Sequence, residues 1–187
     1  MISQKNWEGY AVKTYNKEFT YFFSVGGVFG DHSIVLTGVG SPQEHGQRPS
    51  YAKMTITDWN KYGKNFNYAV GRLKGDWFIE TVNKFHKPQF NLNWNWLVAS
   101  KSTLSTIVYY SLGRGYGSGT LGSFAPAISK QQDSVYQNYR DYDKVWSINS
   151  ITIDNKYSTT LHRSTSTVLR NAVNNHDWYG LLSTFNT

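Results

Sequence analysis

The sequence predicts an all-β protein, a single antiparallel β-sandwich or jelly-roll domain over residues 1–187 with at most two short helices. The first observation is a strict alternation in Gln89–Ala99, where apolar residues take every second position. The second is a succession of about ten to twelve short strand patterns separated by turn residues. The third is an aromatic content of 17%, because aromatic side chains favour strands and binding surfaces.

The segment Gln89–Ala99 is the strand around which the rest of the chain is arranged. Successive side chains on a strand point to opposite faces, so the asparagines at 91, 93 and 95 share one face. That face is either a solvated surface or a comb of amides that contacts a ligand, and the sequence leaves both interpretations open. The other face is apolar, and we expect its two tryptophans to be buried: Phe90, Leu92, Trp94, Trp96 and Val98.

The N-terminal part predicts strands at Trp7–Thr14 and Glu18–Val25, with the glycine pair at 26–27 ending the second. A short apolar run at Ser33–Thr37 is typical of a central strand. The segment Gly38–Ser50 consists mostly of turn-forming residues, so it predicts a long loop.

The next part alternates over Tyr51–Thr57, which predicts a strand, and continues into a polar loop at Asp58–Asn65. Phe66–Leu73 and Trp77–Lys84 then form the arms of a predicted hairpin. The lysine, glycine and aspartate at 74–76 close its turn.

After the central strand, the pattern predicts a return strand over Thr103–Leu112 and a surface loop over Gly113–Gly122, which contains five glycines. That loop lacks the Lys-Ser/Thr pair of a phosphate-binding loop, so nucleotide binding is disfavoured. A short helix is predicted within Pro126–Tyr142, and a hairpin joins Val145–Ile153 to Tyr157–Arg163. The remaining predictions are a turn or two of helix at 168–173 and a last strand over Trp178–Phe185.

Composition limits the classes of partner. The net charge of +7 favours an anionic partner, and the absence of cysteine excludes disulfides and thiolate metal sites. The five histidines are widely spaced, so we expect neither a metal site nor a cofactor. Basic residues are spread along the chain without a known motif, which disfavours nucleic acid as the partner.

A catalytic role would depend on Glu80. The basic, cysteine-free, aromatic-rich composition resembles the small jelly-roll xylanases, which implies two carboxyl groups facing a cleft. Glu18 and Asp58 are the candidate partners of Glu80, but neither Glu80 nor Glu18 has the flanking pattern of those enzymes. The sequence therefore favours a non-catalytic protein.

Glycan binding suits the residues best, because sugars offer hydroxyls to amides and apolar C–H faces to aromatic rings. The loop at 58–65 carries Trp59, Asn60 and Tyr62 in polar surroundings, which predicts that they are exposed and bind a ligand. The asparagine comb and Tyr116 complete the predicted set. The expected partner is a cell-surface polysaccharide, with an anionic one favoured.

The low-charge strands rich in Asn, Tyr, Ser, Thr and Gly also resemble host-recognition domains of bacteriophage tails and other viral attachment heads. That resemblance implies an extracellular or virion-surface location and is compatible with a homo-oligomer. The alternatives, in order, are a membrane-binding or pore-forming β-protein, a viral coat subunit and a glycoside hydrolase using Glu80. Alternating serines and threonines at 100–111 and 147–167 are the basis of the membrane alternative.

Overall fold

A computed structural model describes residues 1–49, 54–122, 139–144 and 167–187, and its architecture is all-β and sandwich-like, as predicted. Almost every strand pair is antiparallel. Within these ranges the elements run in the order β1 (Ile2–Glu8), β2 (Tyr15–Phe29), β3 (His32–Gly40), β4 (Gln43–Gly46), α1 (Ile56–Tyr62), β5 (Val70–Leu73), β6 (Asp76–Ile79), β7 (Val82–His86), β8 (Gln89–Ala99), β9 (Ser102–Gly122), β10 (Arg140–Asp141), β11 (Thr167–Val173) and β12 (His176–Asn186).

Nine of these strands form one large sheet. Some of these strands lie end to end along one edge of a longer neighbour, and we call each such row of strands, or a single full-length strand, a ribbon. β3 and β4 pair in this way along one edge of β2, and β7 and β8 along one edge of β9. β11 and β12 share the other edge of β9. The large sheet therefore consists of six ribbons, in the order β1, β2, β3–β4, β8–β7, β9 and β12–β11.

Two prolines interrupt the third and fourth ribbons at the same level. Pro42 lies between β3 and β4, and Pro88 lies between β7 and β8. A proline has no backbone N–H, so it cannot donate to the ladder on either side. Their carbonyls still accept hydrogen bonds from the N–H groups of Phe19 at 3.1 Å and Leu112 at 3.2 Å, so each ribbon continues beyond the break.

The bounds of β8 are those predicted, and its alternation divides the large sheet into two faces. We call the face that carries Leu92, Trp94 and Trp96 the inner face, and the opposite one the outer face. The expected burial of the two tryptophans is wrong: both are half-buried, stacked on each other with ring centres 6.2 Å apart. The reason is that no second layer among the described residues covers this end of the sheet.

The second layer is a small sheet, in the order β10–β5–β6, at the other end of the inner face. A Cβ on Gly46 of β4 would lie 3.2 Å from the Ile79 side chain of β6, and the Ser118 hydroxyl of β9 donates to the Glu80 carbonyl at 2.6 Å. The buried apolar residues lie at this end: Ala11, Phe66, Ala69, Val70 and Tyr142. The described residues thus form two layers at one end of the sheet and one layer at the other.

Helix α1 occupies the position where a strand and a polar loop were expected. Thr55 begins it with a capping box, in which its hydroxyl accepts from the Asp58 N–H at 3.1 Å and the Asp58 carboxylate accepts from the Thr55 N–H at 3.0 Å. Gly63, at φ +87°, ends it. The alternation at 51–57 was misleading because local capping outweighs it, and residues 51–53 lie outside the described ranges.

Glycines account for three further wrong predictions. β2 continues through the glycine pair to Phe29, β3 and β4 occupy most of the expected loop Gly38–Ser50, and β9 extends through the glycine-rich segment to 122. A Cβ on Gly38 would lie 2.4 Å from the Phe23 ring on the neighbouring strand. Gly38, Gly40 and Gly113 therefore make room for the large cross-strand neighbours Phe23, Tyr21 and His176, and they do not end their strands.

Of the remaining predictions, some are confirmed and one is wrong. The β5–β6 hairpin and the last strand, β12, are confirmed, whereas residues 167–173 form strand β11 and not a helix. The predicted helix and hairpin at 126–163 lie mostly outside the described ranges, and the described end of that helix, Arg140–Asp141, is a strand. No helix in the described part is long and apolar enough to cross a membrane.

Candidate ligand-binding cleft

A cleft of about 530 Å³ opens on the inner face at the level of the two proline breaks. Its size lies within the usual range of ligand sites, about 300–1,000 Å³. Strands β1, β2, β4, β7 and β9 all contribute to its wall. The lining residues are Gln4, Asn6, Lys17, Glu18, Phe19, Pro42, Gln43, Glu44, Lys84, Phe85, His86, Arg114, Gly115 and Tyr116.

Glu44 is the centre of a hydrogen-bonded cluster at one end of the cleft. Its carboxylate accepts from the Tyr15 hydroxyl at 2.8 Å and forms an ion pair with the Lys84 ammonium at 3.0 Å. The hydrogen bond from Tyr15 and the one from Lys84 lower the pKa of the Glu44 carboxyl, so it is ionised at neutral pH. Burial, followed by the bond to Glu44, raises the pKa of Tyr15 to about 12.

Three cationic side chains line the cleft: Lys17, Lys84 and Arg114. Lys17 lies with its Nζ 5.2 Å from the centre of the Tyr15 ring, and the hydrogen bond to Glu44 raises the pKa of Lys84. Arg114 donates to the Asp177 carboxylate at 2.7 Å and to the His176 carbonyl at 3.0 Å, which fixes the guanidinium at the rim. Among the described lining residues the carboxylates are Glu18 and Glu44, so three cations against two anions give this part of the wall a slightly positive charge.

Aromatic rings supply the apolar part of the wall. The Phe19 ring lies 6.4 Å from that of Tyr21, whose hydroxyl is 3.1 Å from Nε2 of His86. Tyr116 is half-buried across the cleft, on the strand next to Lys84. The cleft thus combines aromatic faces with amides, ammonium groups and a guanidinium, the groups that bind a polar ligand with apolar faces.

The predicted site residues of α1 lie outside this cleft. Trp59 and Asn60 are exposed on the helix, with Trp59 exposed over 45% of its surface. Tyr62 is half-buried and stacks on Phe66 with ring centres 4.8 Å apart, so one of its faces is used in packing. None of the three lines the cleft.

The remaining predicted residues are on opposite faces of the large sheet. Asn91, Asn93 and Asn95 lie on the outer face, since the register pairs them with Thr37, Val35 and Ser33 of β3. Tyr116 lies on the inner face and is the one member of the predicted set that lines the cleft. The structure therefore divides the predicted residues among three separate locations.

The three carboxylates considered for catalysis are also apart. Glu80 is 1% exposed and accepts from the Arg140 guanidinium at 2.6 Å and the Tyr142 hydroxyl at 3.0 Å. Glu18 lines the cleft and accepts from the hydroxyls of Thr20 and Ser41, whereas the Asp58 carboxylate is used in the α1 cap. Each of them thus has a structural partner.

Among the described residues, no three His, Asp or Glu side chains meet in a group that could hold a metal ion. Comparison with protein-family models, with curated proteins and with solved structures found no match. The cleft must therefore be interpreted from its own chemistry.

Most of the cleft residues escaped the sequence analysis, because they are single charges on strands far apart in the chain. A partial signal is Pro88, because strict period-two alternation follows it in Gln89–Ala99. Pro42 is flanked by turn-forming residues, so the break between β3 and β4 has no such signal in the sequence.

Proposed function

We propose that this protein is a non-catalytic module that binds a cell-surface glycan, with anionic polymers preferred, in the cleft of the inner face. The observation that carries the proposal is the combination of Phe19 and Tyr116 with Lys17, Lys84 and Arg114 around one cavity of about 530 Å³. Aromatic faces suit the C–H surfaces of sugars, and cations at the rim suit carboxylate or phosphate groups. A role in host or cell-surface recognition, outside the cell or on a virion, is part of the same proposal.

The sequence-predicted residues take a different place in this proposal. Tyr116 remains a ligand contact, whereas Trp59, Asn60 and Tyr62 on α1, and the asparagine comb on the outer face, form separate surfaces. Because they do not line the cleft, substitutions there serve as controls for it.

The test is isothermal titration calorimetry with polygalacturonate, and with dextran as an uncharged counterpart. Tyr116→Ala removes an aromatic contact with the ligand. Such a contact contributes about 0.5–1.5 kcal/mol of binding free energy in addition to the burial of apolar area, so the affinity should fall about 2- to 12-fold. Lys17→Gln should weaken polygalacturonate binding without affecting dextran. Binding of the wild type should also weaken as salt rises, because exposed charges are screened beyond about 8–10 Å.

Trp59→Ala and Asn93→Ala are the matched controls, and both should bind like the wild type. Unchanged affinity in Tyr116→Ala and Lys17→Gln, at unchanged thermal stability, would exclude the cleft. Loss in Trp59→Ala instead would transfer the site to α1. Absence of binding to both polymers and to intact cell walls would contradict glycan recognition altogether.

A further inference from the structure

The end of the inner face that the described residues leave uncovered is apolar across five strands. The register places one row of side chains directly beside each other there: Val25, Leu36, Leu92, Val108 and Leu181. Their exposed fractions are 63%, 39%, 40%, 42% and 67%. A contiguous row of five exposed aliphatic side chains is unusual on the surface of a monomeric protein.

The neighbouring rows have the same character. One row towards the cleft contains Phe23, Phe90 and Tyr110. One row away from it contains Ile34 and Trp94 beside Thr106 and Ser183, whose hydroxyls bond to each other at 2.8 Å. The outermost row ends at Phe185, which is 57% exposed. We call these four rows, on β2, β3, β8, β9 and β12, the apolar half-face.

The apolar half-face has no Asp, Glu, Lys or Arg at any of its positions, and its one titratable imidazole is His32. The outer face behind it is also uncharged, but it carries amides and hydroxyls such as Asn93 and Ser105. The outer face also exposes apolar side chains, such as Phe22, Val28 and Leu182, but amides and hydroxyls lie between them, whereas the apolar half-face has no amide. Its chemistry offers a partner no charge to recognise, which is typical of permanent subunit contacts.

The area of the apolar half-face is large enough for the interface of a stable dimer. Five strands spaced about 4.8 Å apart make it about 24 Å wide, and four rows spaced about 6.8 Å apart make it about 27 Å long. That footprint is about 650 Å² per copy, or about 1,300 Å² for two copies, within the range of about 1,200–2,000 Å² for specific interfaces.

We propose that the apolar half-face packs against the same face of a second copy of this chain, giving a symmetric dimer. Two sheets stacked face to face lie about 10 Å apart and interdigitate their side chains. The small sheet already covers the other end of the inner face in this way, so the second copy extends the two-layer arrangement along the whole sheet. Leu92 lies on the third of the five strands, near the centre of the contact and close to the two-fold axis.

The test is sedimentation velocity on the wild type, Leu92→Glu and Asn93→Glu over a wide range of concentration. These two residues are neighbours on β8 but lie on opposite faces. The wild type and Asn93→Glu should sediment at twice the 21.4 kDa of one chain, whereas Leu92→Glu should dissociate at concentrations at least 100-fold higher. A wild type that is monomeric throughout, or a Leu92→Glu variant that dimerises like the wild type, overturns the proposal.

A second measurement holds even if Leu92→Glu does not fold. The chain contains no cysteine, so Leu92→Cys and Asn95→Cys each introduce a single thiol. A bis-maleimide should cross-link Leu92→Cys into a covalent dimer and leave Asn95→Cys as single chains. Equal yields from both, or no product from Leu92→Cys, overturn the proposal.

The alternative to a second copy is a lipid membrane that binds the apolar half-face. Phosphatidylcholine vesicles that bind a monomeric wild type, but not Leu92→Glu, would overturn the dimer and assign the apolar half-face to a membrane. Leu92 does not line the cleft, so failure of the dimer leaves the glycan-binding proposal standing, and the reverse also holds.

Discussion

The ion pair between Glu80 and Arg140 should be a main structural support of the small sheet, and Glu80→Gln tests this. The Glu80 side chain is 0% exposed and the Arg140 side chain 14%, with Nη1 of Arg140 2.6 Å from the carboxylate. Breaking a buried ion pair by removing one of its charges costs about 3–5 kcal/mol. We therefore expect Glu80→Gln to lose a fifth or more of the stability of a typical domain, about 5–15 kcal/mol.

Two matched variants provide reference values for the loss of stability in Glu80→Gln. Tyr142→Phe removes one hydrogen bond to the same carboxylate and should cost about 1.5–3 kcal/mol. Glu44→Gln breaks the ion pair with Lys84, whose side chain is 55% exposed, and should cost less than about 1 kcal/mol.

The assay is urea unfolding followed by circular dichroism, at one fixed protein concentration because dimerisation contributes to apparent stability. The expected order of loss is Glu80→Gln, then Tyr142→Phe, then Glu44→Gln. A Glu80→Gln variant as stable as Glu44→Gln, with the same dependence on urea, would refute the structural role. Folded Glu80→Gln should still bind polygalacturonate, since Glu80 does not line the cleft.

Three further predictions concern single sites. Phe66, 3% exposed, should lose about 3–5 kcal/mol as Phe66→Ala, whereas Phe29→Ala, at a position 66% exposed, should cost far less in a monomeric background, as measured by urea unfolding. Thr55→Ala should fray the first turn of α1 by removing its cap, which would be seen as faster amide hydrogen exchange at Asp58, whose N–H donates to the Thr55 hydroxyl. Because folding raises the pKa of Tyr15 from 10.0 to about 12, its contribution to stability should be complete below pH 10 and lost as the pH rises towards 12; Tyr15→Phe should abolish this dependence in thermal unfolding.

The sequence predicts an element well where alternation and turn chemistry agree. In Gln89–Ala99, five apolar positions and three asparagines leave a single register, and β8 has the predicted bounds. The turn at 74–76 likewise fixes the β5–β6 hairpin, with Lys74 and Gly75 at positive φ. Both signals are local, so a single sequence contains all the information required.

Elements whose cause lies elsewhere in the chain were missed. The glycine-rich segment of β9 forms a strand because it pairs with β7, β11 and β12; Gly113, for example, lies opposite His176, a neighbour 63 residues away that no local pattern identifies. For the same reason Trp94 was expected in a core, since alternation predicts a shared face but not what covers it. The cleft depends on register across five strands, which only the assembled sheet determines.

A ligand bound in the cleft, and not on α1 or on the outer face, should perturb the backbone amides that line the cleft. Amide chemical-shift mapping on titration with polygalacturonate fragments tests this most directly. We predict that the largest shifts occur at Lys17, Glu44, Lys84 and Tyr116, with those of Trp59 and Asn93 unchanged. Shifts confined to α1 or to the asparagine comb, with the cleft signals unmoved, would contradict the account.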